Sequence, residues 1–273
     1  MPWTQSSVLA LLAVAVGCVP AARAENWHAT LERYNVVWNS PSRDAAGAMP
    51  IGNGEVGLNV WVEEQGDLRF YLSRTDSWSE CGRLLKLGAL RISLTPNPFV
   101  RGAPFRQELR LRDGRIEIVA GAADQAVRLS VFVDAHNPVV HVIGESAAPI
   151  SVKVSLENWR TERHVLTGTG GDSELASAWT MRDAPASIEV AESADCIADE
   201  PGTVTWYHRN EDSVVPLTLK HQGLENISVA FDPLLHRTFG GRLSAAGFER
   251  VDARALVTPA PVRRFEIRVA VLH

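Results

Sequence analysis

From residue 58 onward the chain is written largely in period two. LNVWVE at 58–63, LRFYLS at 68–73, LRISL at 90–94, RIEIVA at 115–120, RLSVFVD at 128–134 and ISVKVSL at 150–156 alternate apolar with polar residues. Successive side chains of a strand point to opposite faces, so this is the pattern of strands with one face in a core and one in solvent. TVTWYH at 203–208, VVPLTL at 214–219, ISVAF at 227–231 and RRFEIRVAVL at 263–272 extend the series, with Pro and Gly between them. No stretch of about 12 residues or more beyond the leader keeps a helical period. The predicted fold is therefore all-β, a large antiparallel super-sandwich of two stacked sheets. Asp113-Gly114, between QELRLR and RIEIVA, predicts a hairpin with a tight primed turn, because both residue types tolerate positive φ. GTGGDS, 168–173, reads as a loop within one domain over 25–273, since strand patterning resumes on both sides of it.

The N-terminus has a different grammar. VLALLAVAVG, residues 8–17, is an apolar run followed by Ala22-Arg23-Ala24, an A-x-A-like cleavage site, which marks 1–24 as a signal peptide and predicts a secreted or periplasmic protein. The run is shorter than the roughly 18 apolar residues a membrane span needs. Gly17-Cys18 also permits a lipoprotein junction with Cys18 acylated. Cleavage near Ala24 leaves Cys81 and Cys196, and an oxidising compartment permits one disulfide between them if the fold brings them together.

Composition excludes some partners. With 27 Lys plus Arg against 32 Asp plus Glu the formal charge is −5, and no long basic run offers phosphate neutralisation, so nucleic acid is not an expected partner. PIGNGEVG, 50–57, places Gly52, Gly54 and Gly57 in the G-x-G-x-x-G spacing of a dinucleotide loop. That loop works only where a strand feeds it and a helix leaves it, and here LNVWVEE leaves it as a strand. No nucleotide and no other cofactor is expected. The glycines instead mark a tight backbone passage where positive φ or close approach excludes a Cβ.

The segment from Trp38 to Phe99, with PIGNGEVG and then Tyr71-Leu72-Ser73-Arg74-Thr75-Asp76-Ser77-Trp78, resembles the N-terminal domain of the family catalogued as domain of unknown function 5703. That family is in turn similar to the N-terminal β-sandwich of the α-L-fucosidases of glycoside hydrolase family 95. There a PIGNG-x-x-G stretch is followed by LN-x-D-x-x-W; here Trp78 matches, Ser73 replaces the Asn and Asp76 stands one position past the motif's Asp, which favours the uncharacterised family. The resemblance continues at HRNEDSVVPLTLKHQGL, 208–224, and DPLLHRTFGG, 232–241. It implies a domain that precedes an (α/α)6 barrel supplying the catalytic carboxylates, with that barrel absent from these 273 residues.

Residue by residue, no catalytic assignment stands out. Glycosidases need two carboxyls about 5–5.5 Å or about 6.5–9.5 Å apart, and no acid pair is singled out by context. Glu63-Glu64 reads as a pair of solvated turn acids. No H-E-x-x-H motif or G-x-S-x-G elbow occurs, and the eight histidines are too scattered to define a metal site. Asp76 with Trp78 two residues on is the best binding candidate, an indole beside a carboxylate suiting sugar stacking plus hydroxyl recognition. The alternative is that Asp76 orders its loop and Trp78 fills the core. Asn53 could bind a ligand or satisfy its own turn. Arg74 and Arg83 receive no role. Trp38, Trp61, Trp159, Trp179 and Trp206 could be sugar platforms or core. DPLLHRTFGG reads as a loop of fixed shape where a following domain would meet this one. The expectation is a non-catalytic domain whose partner is a carbohydrate or a following (α/α)6 domain; the alternatives are a free-standing carbohydrate-binding module and a cell-surface protein-interaction domain.

Overall fold

The computed structural model describes residues 27–168, 173–178, 181–182, 185, 187–228 and 231–273. The segment expected to be a signal peptide, 1–24, Trp179 and most of GTGGDS lie outside the described residues. Seventeen strands are described: β1 (Val36–Trp38), β2 (Met49–Gly52), β3 (Val56–Val62), β4 (Leu68–Trp78), β5 (Leu84–Thr95), β6 (Phe105–Arg110), β7 (Arg115–Ala120), β8 (Val127–Val133) and β9 (Val139–Glu157) come first. They are followed by β10 (His164–Val165), β11 (Ala191–Glu192), β12 (Cys196–Ala198), β13 (Val204–Arg209), β14 (Thr238–Ala245), β15 (Glu249–Arg250), β16 (Ala255–Val257) and β17 (Val262–Leu272). Two short helices, α1 (Trp27–Glu32) and α2 (Val215–His221), are peripheral. Neither is long and apolar enough to cross a membrane.

The all-β expectation holds, and the sandwich is made by one strand. The first half of β9 lies between β8 and β17 in a sheet ordered β1-β6-β7-β8-β9-β17-β14-β13-β12. Its second half lies between β5 and β16 in a sheet ordered β2-β3-β4-β5-β9-β16-β15. Pro149 sits at the handover: the β8 pairing stops at Ser146 and the β5 pairing starts at Ser151. A residue without an N–H is tolerated at such a break and not within a central ladder. Alternation places Ile116, Ile118, Leu129, Val131, Val142 and Ile267 of the first sheet in one core with Leu58, Val60, Leu68, Phe70, Ile92 and Val154 of the second. A separate small cluster gathers Cys81, Leu166, Ala178, Met181 and Val190.

Three sequence expectations are corrected. VVPLTL is the helix α2, not a strand: Pro216 occupies its first turn, where a missing N–H costs nothing, and Lys220 and His221 stand in its last turn. ISVAF forms no strand in its described part, and Phe231 is exposed. The β6–β7 hairpin exists, but Arg110 pairs with Arg115 across a four-residue loop, 111–114, in which only Gly114 has positive φ (60°). A longer loop needs one left-handed residue where a two-residue primed turn needs two.

The glycine loop is a β2–β3 hairpin, not a strand-to-helix turn. Gly54 has φ of 93°, a conformation L side chains rarely adopt. A Cβ on Gly52 would lie 2.5 Å from the Val56 carbonyl oxygen. One glycine is required by φ, another by close approach.

Candidate functional site

The motifs singled out in the sequence converge at one end of the sandwich. Asn53 is saturated within its turn: its Oδ1 accepts from the Glu55 and Val56 N–H groups at 3.0 and 2.8 Å. Its Nδ2 donates across to the β8–β9 loop, to the carbonyls of Asp134 (2.9 Å) and Asn137 (3.3 Å). Asn53 thus ties two loops together and presents no unused polar atom.

Asp76 lies near the end of β4, where the register against β5 shifts between Ser73 and Trp78. Arg74 donates to its Oδ1 from Nε at 2.7 Å, and Arg237 and His273 lie 3.1 and 3.3 Å from its Oδ2. Arg74 also pairs with Glu55 of the glycine loop. Partial burial would raise the Asp76 pKa, but Arg74, His273 and Arg237 outweigh it and hold the carboxyl below its ordinary value. Arg237 belongs to DPLLHRTFGG, and its neighbour His236, with φ of 63°, is the one non-glycine residue of positive φ among those described. Such a conformation persists only where its surroundings fix it: the His236 N–H donates to the Asn210 carbonyl at 2.9 Å and the Asn210 N–H to the Arg237 carbonyl at 3.0 Å. Trp78 is half-buried beside buried Ser77, so the indole and Asp76 are both partly open to solvent.

Beneath this rim lies a buried ionic network that the sequence did not announce. His208 of β13, 1% exposed, reaches Asp195 through Nδ1 at 3.1 Å and Glu80 through Nε2 at 3.4 Å. A ring facing carboxylates at both nitrogens favours the imidazolium, which can donate to each. Burial disfavours the charged ring, but the hydrogen bonds to Asp195 and Glu80 outweigh it and raise the His208 pKa. Arg160 adds a 2.8 Å bond to Asp195 from Nε and another of 2.8 Å to the Lys86 carbonyl. The Ser193 N–H and hydroxyl complete the Glu80 carboxylate at 3.1 and 3.2 Å. Asn210 donates to the carbonyls of Trp78 (3.0 Å) and Leu234 (2.8 Å), fastening the network to the rim. Its depth makes it a clamp that fixes loops.

Other candidates are placed plainly. Glu63 is not a solvated acid: its side chain is 12% exposed and pairs with Arg69 (2.6 Å) and Arg91 (2.7 Å) on the outer face of the second sheet, because β3 ends opposite two arginines of β4 and β5. Glu64 is exposed. Cys81 and Cys196 form no disulfide: Cys81 is buried and Cys196 exposed. Arg83 pairs with Glu192 at 2.7 Å. Trp206 is core, Trp61 is buried on the outer face of the second sheet against Tyr71 and Arg69, Trp38 packs on the core, and Trp159 is 50% exposed.

Residues 37–268 match the family described as DUF5703_N, Domain of unknown function (DUF5703). No curated protein matches the chain. Among solved structures, a protein described as "Putative kojibiose phosphorylase from human microbiome" is similar at 9% identity and a TM-score of 0.39. That likeness covers 89% of this chain, which spans only 30% of the other protein's length.

Proposed function

The chain belongs to the DUF5703_N family, and from that premise we propose that it is the non-catalytic N-terminal β-sandwich domain of a secreted glycoside-hydrolase-like protein of carbohydrate metabolism. Its loop end packs on a following (α/α)6 catalytic domain and forms one wall of the sugar site. The observation that carries this reading is the convergence of Asn53, Asp76, Trp78 and Arg237 at a single end, with the last residues of β17 beside them through His273. Loops gathered on a rigid scaffold are where recognition concentrates. In this arrangement Asn53 and the Arg74–Asp76–Arg237 cluster set the loop shapes, and Trp78 offers the apolar face for a sugar ring or a neighbouring helix.

The half-open Trp78 beside Asp76 also suits a second reading, a free-standing carbohydrate-binding module. The two separate on the native protein, detected with an antibody raised against this chain. A species well above the 29.8 kDa of these residues, whose glycosidase activity falls on Trp78→Ala, is the expected result. A species no larger than this chain overturns the packing reading, and sugar retention by that species lost on Trp78→Ala would establish the second.

A further inference from the structure

The outer face of the second sheet carries a file of aromatic rings. Trp61 and Tyr71 lie 5.0 Å apart, and Tyr71 and Trp159 6.1 Å apart in an edge-to-face contact at 86°. Each ring has a cation against it: Arg69 at 5.2 Å from the Trp61 centroid, Lys86 at 5.1 Å from Tyr71 and Arg160 at 5.9 Å from Trp159. Trp61 is covered, but the file ends in the half-exposed Trp159, two residues beyond β9. Its indole is braced by Tyr71, so its orientation is set before any ligand arrives.

Trp159 borders a cleft of about 420 Å³ that also includes Arg83, Lys86, His164, Glu174 and Glu192 in its lining. Glu192 is 3% exposed; its Oε2 pairs with Arg83, while its Oε1 is buried without a hydrogen-bond partner. Native structures rarely leave a buried carboxylate oxygen unanswered, and each such group calls for an explanation. Arg83, Arg160 and His164 are already matched, with Glu192, Asp195 and, at 2.9 Å, Glu174, while Lys86 has, among the described residues, only the Tyr71 ring against it. A neutral polyhydroxylated ligand can stack on the indole, donate a hydroxyl to the open oxygen and accept from Lys86 without breaking any of these pairs.

We propose that this cleft is a binding site for a neutral pyranoside, with the sugar ring on Trp159, one hydroxyl donated to Glu192 and another accepting from the Lys86 ammonium. None of these residues belongs to the Asp76–Trp78 rim, so the site is additional to the one proposed above and stands or falls separately.

The test uses the methyl α- and β-glycosides of D-glucose, D-galactose, D-mannose and L-fucose, since an indole with two polar groups does not fix the stereochemistry. Oxidation of Trp159 by N-bromosuccinimide is followed by peptide mass spectrometry on the unmodified protein, with Trp27, 62% exposed, as internal control. At about ten times its Kd a ligand leaves about a tenth of the sites open, so at least one glycoside is expected to slow Trp159 oxidation about tenfold without slowing Trp27. Saturation-transfer NMR signals from that glycoside should fall sharply in Trp159→Ala, weaken in Glu192→Gln and persist in Trp27→Ala. Failure of all eight glycosides to protect Trp159, equal protection of Trp27, or undiminished binding by Trp159→Ala would each overturn the proposal.

Discussion

The imidazole of His208 is gripped below the surface by two carboxylates, and the stability it contributes is therefore a function of pH. Its pKa is raised in the folded state, so the contribution is complete below the unfolded value of about 6.5 and is lost as pH rises through the folded value. For Glu80, burial raises the pKa but the bond to His208 and the donors around it outweigh that and lower it. Its contribution is complete above the unfolded value of about 4.5 and is lost as pH falls through the folded one. Stability from this pair should peak between about pH 4.5 and 6.5 and decline on both sides, as urea melts taken from below to above that window would record. His208→Gln should remove the alkaline limb and cost about 3–5 kcal/mol, the usual penalty for leaving buried charges without their partner. An unchanged alkaline slope in that variant would refute the assignment. None of this was legible in the sequence, because Glu80 comes from a segment far from the β12–β13 region that carries Asp195 and His208, and the three meet only through the fold. What was legible was local: Asn53 as a turn residue, and Asp76 with Trp78 at adjacent same-side positions, which their shared partial exposure matches.

At the scale of the element, β9 decides the architecture. Val142 stands in the middle of the first sheet, opposite Val131 on one side and Ile267 on the other. Val142→Pro would delete a central ladder donor and should leave no folded protein by circular dichroism, whereas Pro149→Ala, at the handover between sheets, should change stability by less than about 1 kcal/mol. Comparable losses from both would mean that β9 is not shared as described. The sequence revealed the second half of this strand through ISVKVSL and missed the first, since VVHVIG at 139–144 is a mostly apolar run in which the outward Ile143 is exposed yet apolar. Alternation is a signal of half-burial, and it fades where outward positions carry apolar side chains. The same rule explains VVPLTL: a short apolar run with a proline fits either class, and the helix follows from Pro216 at its start.

The whole molecule has two cores of unequal size, and its two described cysteines report on them differently. Burial, with the nearby Glu80 and Glu192 charges, pushes the Cys81 thiol up to about 12, so at pH 8 only about one in 10⁴ is thiolate even before access is considered. Cys196 is exposed. In a chain beginning at Glu25, Ellman's reagent should therefore label one thiol promptly and the other only as denaturant opens the Cys81–Leu166–Met181–Val190 cluster. Two prompt thiols would show that cluster to be open under native conditions. If Cys81 is released at lower denaturant than the main fluorescence transition, the small core is an independent cooperative unit.

The place of β17 between β9 and β14 has a consequence for biogenesis. It is the last described strand in chain order, yet it completes the middle of the first sheet. A ribosome thus delivers β9 long before, and β14 shortly before, the strand that joins them, and until then β9 and β14 each carry an unpaired edge. The first sheet stays open along that seam until β17 emerges, and a chaperone that shields those two edges would govern the balance between productive closure and aggregation.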